Sequence, residues 1–222
     1  PSIMPEFFGD FIVVNDKVWP YTDVDATRYG FWVLNGCDSR YLNLSFSCEG
    51  CLSSETPFFW IVNAEQGPLD NPMLTRSLFI SPGERYYVTV DFSKFSGRTF
   101  NITNNARTPF PSGDLPNPES AGLVMQFRVS QNLKNTQSER IFSKRNIPKQ
   151  KISARRKLIL TEIQDKFGRP KPMLGTFENG PLEWKQPITE KPLLNTTEEW
   201  EIFNLTPDSH PIHIHACSFR IQ

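Results

Sequence analysis

Apolar and polar residues alternate through Arg85-Tyr86-Tyr87-Val88-Thr89-Val90-Asp91-Phe92 and again through Thr99-Phe100-Asn101-Ile102-Thr103. A period of two sends successive side chains to opposite faces, so both stretches read as half-buried β-strands. Leu123-Val124-Met125-Gln126-Phe127-Arg128-Val129, bounded by Gly122, reads as another, and the pattern resumes at Lys157-Leu158-Ile159-Leu160-Thr161. Asn15-Asp16 and Ser81-Pro82-Gly83-Glu84 supply turn chemistry. Long amphipathic helical stretches are hard to find. The 19 prolines and 18 phenylalanines fit many short strands joined by turns. The pattern predicts an all-β chain built as a sandwich.

Composition then divides the chain. Residues 1–130 read as one sandwich. Residues 131–156 are polar and basic, with Glu139 the one acidic residue, and read as a solvated linker rather than an anion-binding patch. Residues 157–222 read as the first part of a second sandwich. A partial sandwich leaves strand edges unpaired and apolar core exposed. It is therefore expected to need the rest of its domain, on this chain or another. Both ends read as cut points: Pro1-Ser2-Ile3-Met4-Pro5 shows no signal peptide, and Phe219-Arg220-Ile221-Gln222 stops within a strand-like run. With 24 basic and 24 acidic residues the formal charge is zero, so no global field favours nucleic acid or an anionic membrane. No apolar run approaches the ~20 residues that span a bilayer.

The chemistry concentrates at one place. All three histidines lie within Ser209-His210-Pro211-Ile212-His213-Ile214-His215-Ala216-Cys217-Ser218. Clustered imidazoles point to a metal. As a strand, the segment would place His213 and His215 on one face and His210 on the other, serving two sites. A surface zinc or nickel site without a redox role is the alternative.

His-Pro-Ile-His-Ile-His resembles the His-Pro-x-His-Leu-His motif of the last domain of multicopper oxidases. Gly9-Asp10-Phe11-Ile12-Val13-Val14-Asn15-Asp16-Lys17-Val18-Trp19-Pro20 is similar to a strand and turn of that family's second domain. Arg28 to Arg40, Ser81 to Val88, and Thr197 to Leu205 resemble further family strands, in the family's order. The spore-coat-laccase and bilirubin-oxidase-like group is the most similar branch. The resemblance implies cupredoxin-like Greek-key β-sandwiches, one complete and one partial: the second domain and the start of the third. It also implies that His210 binds type 1 copper, His213 type 2 copper and His215 a type 3 copper. Imidazole suits copper, and a type 1 site takes two histidines and a cysteine. The family's His-Cys-His motif and first-domain His-x-His pairs are absent here, so neither copper site is complete.

Cys48-Glu49-Gly50-Cys51 could be a redox pair or half a zinc site. The preferred reading is a local disulfide or two free thiols in a surface loop. Cys37 and Cys217 read as small buried side chains. Asp208 sits in turn chemistry, and Glu198 and Glu199 read as solvent-facing. Asn43, Asn101, Asn195 and Asn204 head Asn-x-Ser/Thr sequons and lean towards a secreted protein, although Asn43 and Asn204 fall in expected strands.

The resemblance implies part of an oxidase that takes single electrons from a reductant and reduces dioxygen to water. Phenols, tetrapyrroles, aromatic amines and ferrous or manganous ions all remain open as reductant. The chain alone would be inactive and would need its missing remainder or a complementary chain. The rival reading is a non-catalytic cupredoxin-like binding or structural module.

Overall fold

A computed structural model describes residues 6–131 and 150–222. Most of the expected linker, residues 132–149, lies outside the described residues. In chain order the strands are β1 (Val13–Val14), β2 (Lys17–Val18), β3 (Tyr21–Val24), β4 (Arg28–Leu34), β5 (Leu42–Ser47), β6 (Phe59–Ala64), β7 (Gly67–Thr75) and β8 (Ser77–Ile80). There follow β9 (Arg85–Asp91), β10 (Thr99–Asn104), β11 (Leu123–Val129), β12 (Ile152–Gln164), β13 (Pro170–Thr176), β14 (Gly180–Leu182) and β15 (Thr197–Asn204). The all-β expectation holds: one 3₁₀ turn, Ser53–Glu55, is the helical element among the described residues. These residues form two compact units, 6–131 with 211–222, and 150–210.

In the first unit, β3-β11-β10-β5-β8 form a five-stranded sheet and β4-β9-β6-β7 a four-stranded one. Each sheet turns an apolar row inwards. Leu42, Leu44, Phe46, Phe100, Ile102 and Phe127 come from the first sheet, and Phe59, Ile61, Val88 and Val90 from the second. Rings meet across the two sheets, Phe46 against Phe59 at 4.7 Å and Phe31 against Phe127 at 5.4 Å. The inward row of β11 runs Val124, Phe127, Val129, because the register against β10 shifts between Ile102 and Thr103. The bulge adds one residue and re-aims the side chains beyond it. Asn15 and Asp16 join β1 to β2 at φ 48° and 65°. A two-residue hairpin of this kind needs both residues left-handed, and Asn and Asp tolerate that best after glycine.

Buried polar groups fix the loops. The side chain of Asn35 donates to the carbonyls of Arg40 (2.8 Å) and Ile80 (3.1 Å) and accepts from the Cys37 amide (3.1 Å). Arg40 in turn donates to Thr108 Oγ1 and the Gly9 carbonyl. Each group is satisfied, as burial requires.

In the second unit the sheet order is β14-β13-β12-β15, with β12 and β15 parallel. β12 starts at Ile152, inside the stretch expected as linker. Arg155, Arg156 and Lys157 pair with Glu199, Glu198 and Glu201 of β15. The expectation that Glu198 faces solvent is thereby corrected: its side chain is 8% exposed, held by Arg156 and by Trp200 Nε1 at 2.8 Å. The Arg156 guanidinium, followed by the Trp200 N–H, keeps the Glu198 carboxyl below its ordinary range. Leu174, Trp184 and Leu194 stand exposed on this unit.

Candidate metal centre

The strand leading to the histidines ends at Asn204, and residues 205–222 form no strand. The expectation of a histidine-bearing strand is corrected. A strand is made by its ladder, and none of the described strands pairs with this segment. Pro211 also withdraws one amide from any ladder. The chain turns instead. Asn204 Oδ1 accepts from the Thr206 amide, and Asn204 Nδ2 donates to the Asp208 carbonyl at 2.6 Å. The boundary of the two units falls between His210 and Pro211.

His210 belongs to the 150–210 unit and is half-buried. Its Nε2 shares a hydrogen bond with Thr206 Oγ1 at 2.7 Å, the direction set by the tautomer, and lies 3.7 Å from Asp208 Oδ1. Glu162 completes the cluster: one ligand atom each from Glu162, Asp208 and His210 lie within 4.8 Å of one another. Asp208 therefore does more than turn the chain. Its backbone carbonyl closes the turn and its carboxylate faces the imidazole. Glu162 carried no local signal in the sequence. Parallel pairing ends at Leu160 against Asn204, so Glu162 projects just beyond the end of β15, where the turn begins.

His213 and His215 belong to the other unit. Their rings lie edge to face with centroids 4.7 Å apart, the shared side that the sequence spacing implied. His213 Nδ1 meets Glu65 Oε2 at 2.5 Å, and Glu65 Oε1 accepts from Arg85 Nη1 at 2.8 Å. Glu65 and Gln66 are the turn residues between β6 and β7, and Gln66 Nε2 donates to the Ile214 carbonyl at 2.9 Å. Arg220 pairs with Asp70 of β7. A carboxylate on one ring nitrogen fixes the imidazole and leaves the other nitrogen to a metal.

The cysteines separate clearly. Cys48 and Cys51 are joined as a disulfide in the loop after β5. Cys37 is half-buried, and burial pushes its thiol up, consistent with an inert side chain. Cys217 is exposed, which corrects its reading as a buried hydrophobe: without a strand at this segment no sheet face covers it.

As a donor set these residues fit copper in type. Nδ1 of His210 and Nε2 of His213 make no hydrogen bond among the described residues, and His215 stands beside His213. Imidazole nitrogens suit copper, as they also suit zinc, iron and nickel. In number they are too few for a multicopper centre.

Clustered imidazoles on an all-β chain suit a copper-binding protein, and comparison with known proteins agrees. A family model described as multicopper oxidase matches residues 159–222. The chain belongs to the multicopper oxidase family, for which copper is the cofactor. It is 36% identical to a laccase of Bacillus subtilis (strain 168) over 225 residues, covering 100% of this chain and 41% of that protein. It is 34% identical to multicopper oxidase LPR1 of Arabidopsis thaliana, covering 100% of this chain and 36% of that protein. The crystal structure of a laccase from Pediococcus acidilactici superposes with TM-score 0.63 at 20% identity, over 90% of this chain and 37% of that one, and shows the cupredoxin-like sandwich fold. The chain thus spans about two-fifths of the length of the relatives it matches.

Proposed function

We propose that this chain is the central part of a laccase-like oxidase that takes single electrons from a reductant and reduces dioxygen to water. Residues 1–130 would be the second domain and 157–222 the start of the third, with the connection of 131–156 ending in the first residues of β12. The observation that carries the reading is the His210-Pro211-Ile212-His213-Ile214-His215 segment at the end of a chain similar along its whole length to multicopper oxidases.

His210 is assigned to type 1 copper, His213 to type 2 and His215 to a type 3 copper. Bound copper would supply the one-electron chemistry and the reduction of dioxygen. The protein's own contribution is placement. His210 would offer Nδ1 to a metal, while its Nε2 is bonded to Thr206 and lies 3.7 Å from Asp208, with Glu162 in the same cluster. Those carboxylates put two negative charges at the edge where a reductant would approach, which favours a cation such as ferrous or manganous ion over a neutral phenol. Glu65 anchors His213 through Nδ1, so the ring cannot rotate away. The missing ligands come from the rest of the parent chain or from a complementary one. The sequons support a secreted protein, and no described helix is long and apolar enough to cross a membrane.

The direct test is His213→Ala in the full-length protein. Loss of oxygen uptake, with one copper lost by metal analysis, is the expected result. Wild-type uptake in that variant would remove His213 from the centre. The intact deglycosylated mass of the protein from its source adds an independent check. A mass near the 25.6 kDa of this chain would end the autonomous oxidase reading.

A further inference from the structure

We propose that Asn195 is a site of N-linked glycosylation, and that among the four sequons it is the one the fold leaves available. The proposal rests on the secretory reading above. The chemistry requires a side-chain amide that can leave the protein surface and enter a transferase. The Asn195 nitrogen would displace pyrophosphate from the anomeric carbon of a lipid-linked oligosaccharide. A C–N bond forms, the anomeric C–O bond breaks, the nitrogen loses one proton, and polyisoprenyl pyrophosphate departs.

Three of the four sequons fail that requirement. Asn43 lies within β5, and its Nδ2 donates to Asn105 Oδ1 at 2.7 Å. Asn101 lies in β10, paired on both sides by β11 and β5, and its Oδ1 accepts from Gln126 at 2.9 Å. Asn204 closes the turn before the histidines through both side-chain atoms, so a glycan there would break the turn that places His210.

Asn195 differs in each respect. It precedes β15 in an exposed turn, and its amide makes no hydrogen bond among the described residues. The turn is closed without it, by the Thr196 amide (3.2 Å) and Thr196 Oγ1 (2.6 Å), both donating to the Leu193 carbonyl. Its φ of 63° lies in the left-handed region. That φ gives an ordinary reason for asparagine here, since asparagine tolerates the left-handed region. Glycine would serve the turn equally well, and this separates the two roles.

The full-length protein is purified from the medium of its source cells and digested in oxygen-18 water with an amidase that converts glycosylated Asn to Asp. Peptide mass spectrometry then reads each sequon. Heavy Asp at position 195, with Asn43, Asn101 and Asn204 unlabelled, is expected. The same protein with Asn195→Gly, and separately with Thr197→Val, should be secreted folded and lighter by one glycan. Secreted protein bearing unmodified Asn195 overturns the site. Protein found within the cell and bare at every sequon overturns the secretory reading and the modification with it. In that case, expression through a eukaryotic secretory route shows which part failed: a bare Asn195 there rejects the geometry itself.

Discussion

Neutralising the carboxylates beside His210 should weaken a cationic reductant and spare a neutral one. The perturbations are Glu162→Gln and Asp208→Asn in the full-length protein, singly and together. Both preserve shape, and the turn at Asp208 is made by its backbone carbonyl, so the fold is retained. The carboxylates and the imidazole offer ligand atoms within 4.8 Å of one another, so an approaching ion would sit about 5 Å from each charge. Coulomb's law gives about 1.7 kcal/mol for a divalent cation and one carboxylate at that distance in water. Screening at physiological ionic strength trims this to roughly 1 kcal/mol, about fivefold in affinity. The expected result is an about fivefold higher KM for ferrous ion with each single variant and about 25-fold with both, kcat moving little. KM for an uncharged phenol should stay at the wild-type value, and lowering the salt should widen the gap between the reductants. Steady-state oxygen uptake with the two reductants measures all of this. An unchanged ferrous KM in the double variant, or an equal rise for the phenol, would refute the reasoning.

Two further outcomes test the scaffold. Asn35→Ala removes three hydrogen bonds from a residue 1% exposed, each worth about 1 kcal/mol, so amides of β4 and β9 should exchange roughly a hundredfold faster; exchange at the wild-type rate would show that Asn35 only fills space. Asp165 lies in the β12–β13 turn, where hydrogen bonds from the Arg169 side chain and amide and from the Phe167 amide push its carboxyl down to about 2. A depressed carboxyl contributes stability above its ordinary pKa of 3.8 and loses it as pH falls through the folded value. Amide shifts of Phe167 and Arg169 should therefore titrate near pH 2 and lose that step in Asp165→Asn, whereas a midpoint near 4 in the native protein would contradict the turn geometry.

What could be read from the sequence was local. Leu123 to Val129 has the same bounds as a strand and as an alternating pattern, and Arg85 to Phe92 differs by one residue from β9. Period-two alternation is a property of consecutive residues, so it survives translation into structure. Pairing is not. Nothing adjacent to Glu198 shows that parallel register will bring Arg156 across to it, and a Glu-Glu dipeptide on a strand looks like a wetted surface until that register is known. Glu162 escaped for the same reason: its place beside His210 follows from where β15 ends, far away in sequence. The histidines show the division most sharply. The shared face expected for His213 and His215 rested on a strand; their rings do meet, but in a segment that is not one. The strand expected to carry them required a neighbour as well as a sequence, and no described strand supplies one. The three imidazoles are written in six consecutive residues, but where each one sits depends on the strands of its own unit.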